Sequence, residues 1–177
     1  MKREVFLHFS FWFSFFVLIT LVNRFFNLSY WSFWLGGIIG TILPDIDHLI
    51  YIFFLQPQDL TSQRANYMLQ KREWKKTLGL LYITRSERMG LIFHTVTFQL
   101  IFLVLTFWVV SSSASLFGKG LVLAFSLHLL IDQIVDLMEL ESFANWQKNL
   151  PFEIEIDKAK IYWLAILIVT ILMGVFM

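Results

Sequence analysis

Residues 36–51 read GGIIGTILPDIDHLIY, which sets Asp45, Asp47 and His48 directly behind Pro44 in an otherwise apolar run. Ionisable side chains at membrane depth are costly, so a DxDH inside a hydrophobic stretch marks a functional site by default. The reading of the whole chain turns on whether this stretch lies in a bilayer and what could gather around it.

The surrounding composition answers the first point. Of 177 residues, 58% are hydrophobic and only 15% charged, well below the roughly 25% charge of soluble domains. Long charge-free runs make this an integral membrane protein, all-α, read as one domain over residues 1–177. About five spans are expected, at Val5–Val22, Ser29–Leu55, Met89–Val110, Leu116–Leu137 and Ile161–Met177. The first run leads into Asn23-Arg24-Phe25-Phe26 rather than a small-residue cleavage site, so it reads as a retained span, not a signal peptide. In the second, Pro44 lacks a backbone donor and should break or kink the helix. Gly36 and Gly40 form a GxxxG that lets a neighbouring helix approach closely.

Between the second and third spans lies a basic connection, residues 56–88, with seven Lys/Arg against three acids. Tyr67, Trp74, Leu78 and Leu81 fall in it at helical spacings. A basic amphipathic helix on an anionic membrane surface and a solvated helical hairpin both fit. After the fourth span, Phe143, Trp146 and Phe152 are expected to be interfacial anchors, and Asp136 to be interfacial as well. With the N-terminus inside, twelve bases fall on the inner side and only Arg24 and Lys119 outside. This bias is expected to put the N-terminus inside, on the cytoplasmic face.

That topology also aligns the histidines. His8, His48, His94 and His128 are the four in the chain, and all lie in or beside apolar spans. Counted from the span ends, His8, His94, the Asp45–His48 element and His128 with Asp132 fall at a similar depth near the cytoplasmic face. His128 and Asp132 are four residues apart, on one helical face, as two ligands of one ion would be. Imidazole and carboxylate are the ligands of zinc and related divalent ions, so His8, Asp45, Asp47, His48, His94, His128 and Asp132 form the candidate metal set. One or two ions would activate water and offset charge building on a phosphoryl or acyl oxygen. Asp45 or Asp47 could instead act as general base. The absence of cysteine excludes thiolate sites and disulfides.

In this order the residues resemble the YdjM-like family of inner-membrane metal-dependent hydrolases, also labelled LexA-binding. GTILPDIDH at Gly40–His48 matches one of its elements closely, and Ser126–Asp132 matches a late SHxxxD-type helix with one extra residue. His8 takes the place of an N-terminal histidine. A third, HRGxTHS-like element finds counterparts in Arg88, Gly90 and His94. Its first histidine has none, and Glu87 stands nearest that place, so a ligand is either absent or replaced by Glu87. The resemblance implies a metal-dependent hydrolase with zinc, or manganese, as cofactor. Distant similarity of that family to zinc-dependent phospholipase C and certain nucleases implies phosphoester chemistry, by analogy of fold.

The expected partners are therefore membrane lipids and a phosphoester substrate. No segment identifies a protein partner. Nucleic-acid binding is not expected, because the net charge is only +1 and no reading motif accompanies the basic loop. The rival readings are a non-catalytic membrane protein with a structural metal or polar cluster, and a family member without activity.

Overall fold

The computed structural model describes residues 2–84, 87–88, 90–139 and 141–177, with side chains from Phe6 onward. Met89, where the third span was expected to open, Arg85 of the basic loop, and the side chains of Lys2 and Arg3 lie outside the described residues.

All regular structure among the described residues is helical. The chain runs through α1 (Lys2–Val22), α2 (Trp31–Ile42), α3 (Ile46–Ile50), α4 (Leu60–Gln70), α5 (Trp74–Ile83), α6 (Val96–Ser112), α7 (Leu116–Glu139), α8 (Ala144–Gln147) and α9 (Ile156–Val175). At Pro44 the α-geometry stops, as the missing donor requires, and a 3₁₀ turn at Leu43–Asp45 takes its place. Helix resumes as α3 and widens into a π-turn at Tyr51–Leu55, so Leu28–Leu55 remains one continuous 28-residue rod.

Helix α7 is the axis. In its most apolar window 78% of residues are buried, against 22% in α9, although the two have the same mean hydropathy. Glycine explains how α2 reaches it. A Cβ on Gly36 would stand 2.1 Å from the Phe117 carbonyl oxygen, and one on Gly40 would stand 2.2 Å from that of Leu121. Gly120 answers from α7, where a Cβ would meet the Phe33 carbonyl oxygen at 2.1 Å. The two backbones touch, and any side chain at these places would part them. Helix α1 closes one side through Trp12, Phe16 and Ile19, while α6, α8 and α9 close the other around Val96, Leu129, Trp146 and Ala159.

Three helices, Leu28–Leu55, Leu116–Glu139 and Ile156–Val175, are long and apolar enough to cross a membrane. Phe6–Val22 and Val96–Ser112 are apolar but shorter. Their outer faces carry large exposed apolar residues, among them Phe13, Val104, Trp108, Leu164 and Ile168, while polar residues such as Gln99, Thr106 and Gln133 are buried. That arrangement suits a lipid solvent.

Several local expectations are corrected. Helix α6 starts at Val96, seven residues beyond the expected start of the third span. Thr95 caps it by accepting from the Phe98 amide, and the amides just before are held by Asp47. His94 therefore sits on an irregular segment, not on a helix. Helix α9 begins at Ile156, because Asp157, Lys158 and Lys160 are tolerated in exposed first turns and paired locally. Phe143 and Trp146 are core residues rather than interfacial anchors, whereas Phe152 is exposed. Asp136 is buried because the Trp146 indole donates to it at 2.8 Å. The basic connection is two helices, α4 and α5, packed on each other with Tyr67, Trp74 and Leu78 outward.

Candidate metal centre

Asp132 is the point of convergence. It lies on α7, four residues after His128 and on the same face, and is 2% exposed. His8 arrives from α1 with Nε2 at 3.1 Å from Asp132 Oδ1. His94 and His128 place their Nε2 atoms at 2.9 and 3.2 Å from Oδ2. The His8 and His128 rings lie face to face at a tilt, centroids 4.4 Å apart. Three histidines from distant parts of the chain thus meet one buried carboxylate.

His8, His128 and Asp132 each offer a ligand atom within 4.8 Å of the others, and all three residues are buried, so this group is able to hold a metal ion. The donor set fits: two imidazoles and a carboxylate suit a divalent ion. A further observation points the same way. Both ring nitrogens of His128 are buried without a hydrogen bond. Buried polar atoms are normally satisfied, and the exceptions call for an explanation such as an ion.

The expected residues divide around this centre. Asp47 is fully buried, and its carboxylate accepts the amide of Ile92 at 3.0 Å, that of Phe93 at 2.6 Å, and meets His94 Nδ1 at 3.1 Å. It orients His94 rather than joining the cluster, as a carboxylate behind a metal-ligating histidine does. Gly90, at φ +98°, is a backbone turn just ahead of those amides. Asp45 is exposed. Its Oδ1 lies 3.7 Å from His128 Nε2, at the rim. His48 stacks on His94 with centroids 5.3 Å apart and accepts from Arg88 Nε on its Nδ1. Glu87 is outside the group: it is exposed and accepts from the Thr61 hydroxyl at 3.0 Å.

Two residues at the centre were read from the sequence in other roles. Arg88, a loop base and a counterpart in the HRGxTHS-like element, is 2% exposed and lines the same pocket as His8, His128 and Asp132. Trp146, expected as an interfacial anchor, stands edge-on to His94 at 5.6 Å. The pocket itself encloses about 390 Å³ between α1, α2–α3, α5 and α7, with Asp45 and His48 on its wall.

Fold and site together define an all-helical protein, able to span a membrane, with a buried histidine–aspartate centre able to hold a metal. No protein-family model matches the chain, and no match is found among curated proteins or solved structures.

Proposed function

We propose that the chain is a membrane-embedded metal-dependent hydrolase of phosphoesters. One observation carries the reading: His8, His94 and His128, from three separate segments, point at the Asp132 carboxylate on the floor of a pocket. In this reading His94 completes a His₃Asp set, and zinc is the first candidate, manganese the second. Likeness of the PDIDH and HxxxD elements to the YdjM-like family supports the same chemistry. The five-span topology from the apolar runs, the inward N-terminus from the basic-residue bias and the inner-membrane location implied by the resemblance belong to this proposal.

When bound, the ion would polarise a phosphoryl oxygen and lower the pKa of water. The chain supplies the rest. Asp47 fixes the ring of His94 and its tautomer. Asp45, exposed at the rim beside His128, is placed to take a proton from an attacking water. The apolar walls limit bulk water at the centre.

A second reading has its own support. His94 is engaged at both nitrogens, by Asp47 and Asp132, so Asp47–His94–Asp132 could serve as a purely structural polar strut. Elemental analysis and hydrolysis of a chromogenic phosphoester separate the two. The hydrolase reading expects metal in the purified protein. Asp45→Asn should retain it while losing roughly 10²–10⁴-fold of the rate. Metal-free wild-type protein that is unchanged in thermal stability by added zinc or manganese would leave only the strut.

A further inference from the structure

The α4–α5 hairpin has an outer surface that suits neither water nor a protein core. In α4 the inward face is Thr61, Ser62 and Ala65, all buried. The opposite face carries Leu60, Arg64, Tyr67 and Lys71, whose spacing of four, three and four residues makes one stripe of a helix. In α5, Thr77 and Leu81 are buried, while Trp74, Lys75, Lys76, Leu78 and Ile83 are exposed. Leu60, Tyr67, Trp74 and Leu78 are each 58–63% exposed, and Ile83 is 78% exposed. A hairpin surrounded by water turns polar side chains outward, so large apolar ones gathered there mark a contact surface.

The cations between them identify what is contacted. Lys76 pairs with Glu73 at 2.9 Å, and Lys71 Nζ lies 4.3 Å from the centroid of the Tyr67 ring. Asp59, at the start of α4, accepts from the Tyr51 hydroxyl at 2.7 Å. Among the described residues no carboxylate pairs with Arg64, Arg72 or Lys75. Rings and alkyl stems interleaved with surplus bases match the boundary of an anionic bilayer, where the apolar parts sink and the cations meet phosphates.

The hairpin is also held where that boundary lies. Ala65 and Leu81 pack with Tyr51 and Ile52 at the end of the Leu28–Leu55 rod. Phe53, Phe54 and Leu55, the last residues of the rod, are exposed, and only residues 56–59 separate them from Leu60. We propose that the outer face of the α4–α5 hairpin docks on anionic phospholipid headgroups of the bilayer that the rod enters. It shares with the proposed function only the membrane location of the chain. Leu78 and Tyr82 also line the pocket over the histidine–aspartate centre, so docking sets the pocket mouth at headgroup depth.

The chain has no cysteine, so single cysteines can carry a fluorophore in the otherwise natural, full-length protein. Leu60→Cys and Ile83→Cys report on the hairpin, and Phe54→Cys on the rod. Each is placed in nanodiscs of phosphatidylcholine, alone or mixed with phosphatidylglycerol, and quenching by headgroup spin-labelled lipid is compared with quenching by a neutral aqueous quencher. Phe54→Cys should be reached from the lipid in both membranes. At Leu60→Cys and Ile83→Cys the lipid-to-water quenching ratio should rise at least about fivefold with phosphatidylglycerol, the gain expected from one base at an anionic surface. Adding Arg64→Gln, Lys71→Gln and Lys75→Gln should remove most of that rise. Salt of about 1 M, which screens charge beyond roughly 3 Å, should do the same without any substitution. Equal ratios in the two membranes, or a rise that survives both the substitutions and salt, overturn the proposal. Hairpin labels quenched only from water, with Phe54→Cys quenched from lipid, overturn it too and assign the outward apolar residues to a protein partner. A Phe54→Cys label beyond reach of lipid would remove the membrane location, and with it both this proposal and the membrane part of the proposed function. No arm measures metal or hydrolysis, so the outcome is independent of the chemistry at the centre.

Discussion

Helix α7 carries two buried polar groups side by side, and they are built on opposite rules. Around Gln133, which is fully buried, every polar atom finds a neutral partner: the amides of Gln99 and Gln133 exchange hydrogen bonds at 3.0 and 3.4 Å, and Tyr162 donates to Gln99 at 2.7 Å. Around Asp132, one residue earlier, three imidazoles crowd a single carboxylate, and His128 has no hydrogen bond at either nitrogen. The first arrangement closes on itself, and it ties α6, α7 and α9 together as interhelical glue. The second gathers ligand atoms of His8, His128 and Asp132 within 4.8 Å of one another. A polar group that exists to hold helices together satisfies itself, whereas a ligand site keeps capacity for something else.

The largest difference between the two should appear on truncation. Asp132→Ala removes the atom on which the three histidines converge, and the protein should emerge from desalting without metal. Gln133→Leu should emerge with its metal intact. Elemental analysis of the two variants in parallel checks this, and equal metal in both would erase the distinction between the clusters.

A smaller loss is expected from Asp47→Asn. The amide side chain keeps one acceptor for the Ile92 and Phe93 amides, but it no longer offers a charge to His94 Nδ1. Metal affinity should fall about 10- to 100-fold, the usual effect of losing the group that orients a ligating histidine. Titration with a competing chelator measures it. An unchanged affinity would mean that His94 belongs with the structural strut and not with the centre.

Stability is the property that Gln133 should govern. Gln133→Leu leaves the Gln99 amide nitrogen without its partner and should cost about 1 kcal/mol, within the roughly 0.6–2 kcal/mol found for interhelical hydrogen bonds in membrane proteins. Adding Gln99→Leu should cost less than a second such loss, since the orphaned group is removed with it. Thermal unfolding in detergent reads both. Strict additivity would show that the two glutamines do not act as a pair.

The sequence carried the centre further than the glue. His8, His94, His128 and Asp132 stand out because ionisable residues are rare in apolar runs, and their depth can be counted from span ends. Gln99 and Gln133 are neutral, unremarkable in composition, and paired only through the crossing of α6 and α7. The helical fold was legible from hydropathy, and a close approach of some neighbouring helix to α2 from Gly36 and Gly40, but that the neighbour is α7 was not. The start of α6 was not, because hydropathy continues through Leu91-Ile92-Phe93 while a carboxylate 45 residues upstream takes the amides that a helix would have used. The division of labour between Asp45 and Asp47 was equally hidden. Two residues on adjacent turns of backbone separate into an exposed rim group and a fully buried one only when α6 and α7 are in place.

The smallest effect belongs to Glu87, and it bears on how the centre relates to the resembled family. If Glu87 replaced the missing first histidine of the HRGxTHS-like element, Glu87→Gln would cost metal as a ligand loss does. Its carboxylate instead accepts from Thr61 on α4 and is exposed, so the substitution should leave metal content unchanged and alter stability by less than about 0.5 kcal/mol. That outcome would put the work of the whole element on His94 and Arg88. A loss of metal from Glu87→Gln would show that the segment before α6 folds inward when the ion binds, and that the centre has more ligands than the three histidines and Asp132.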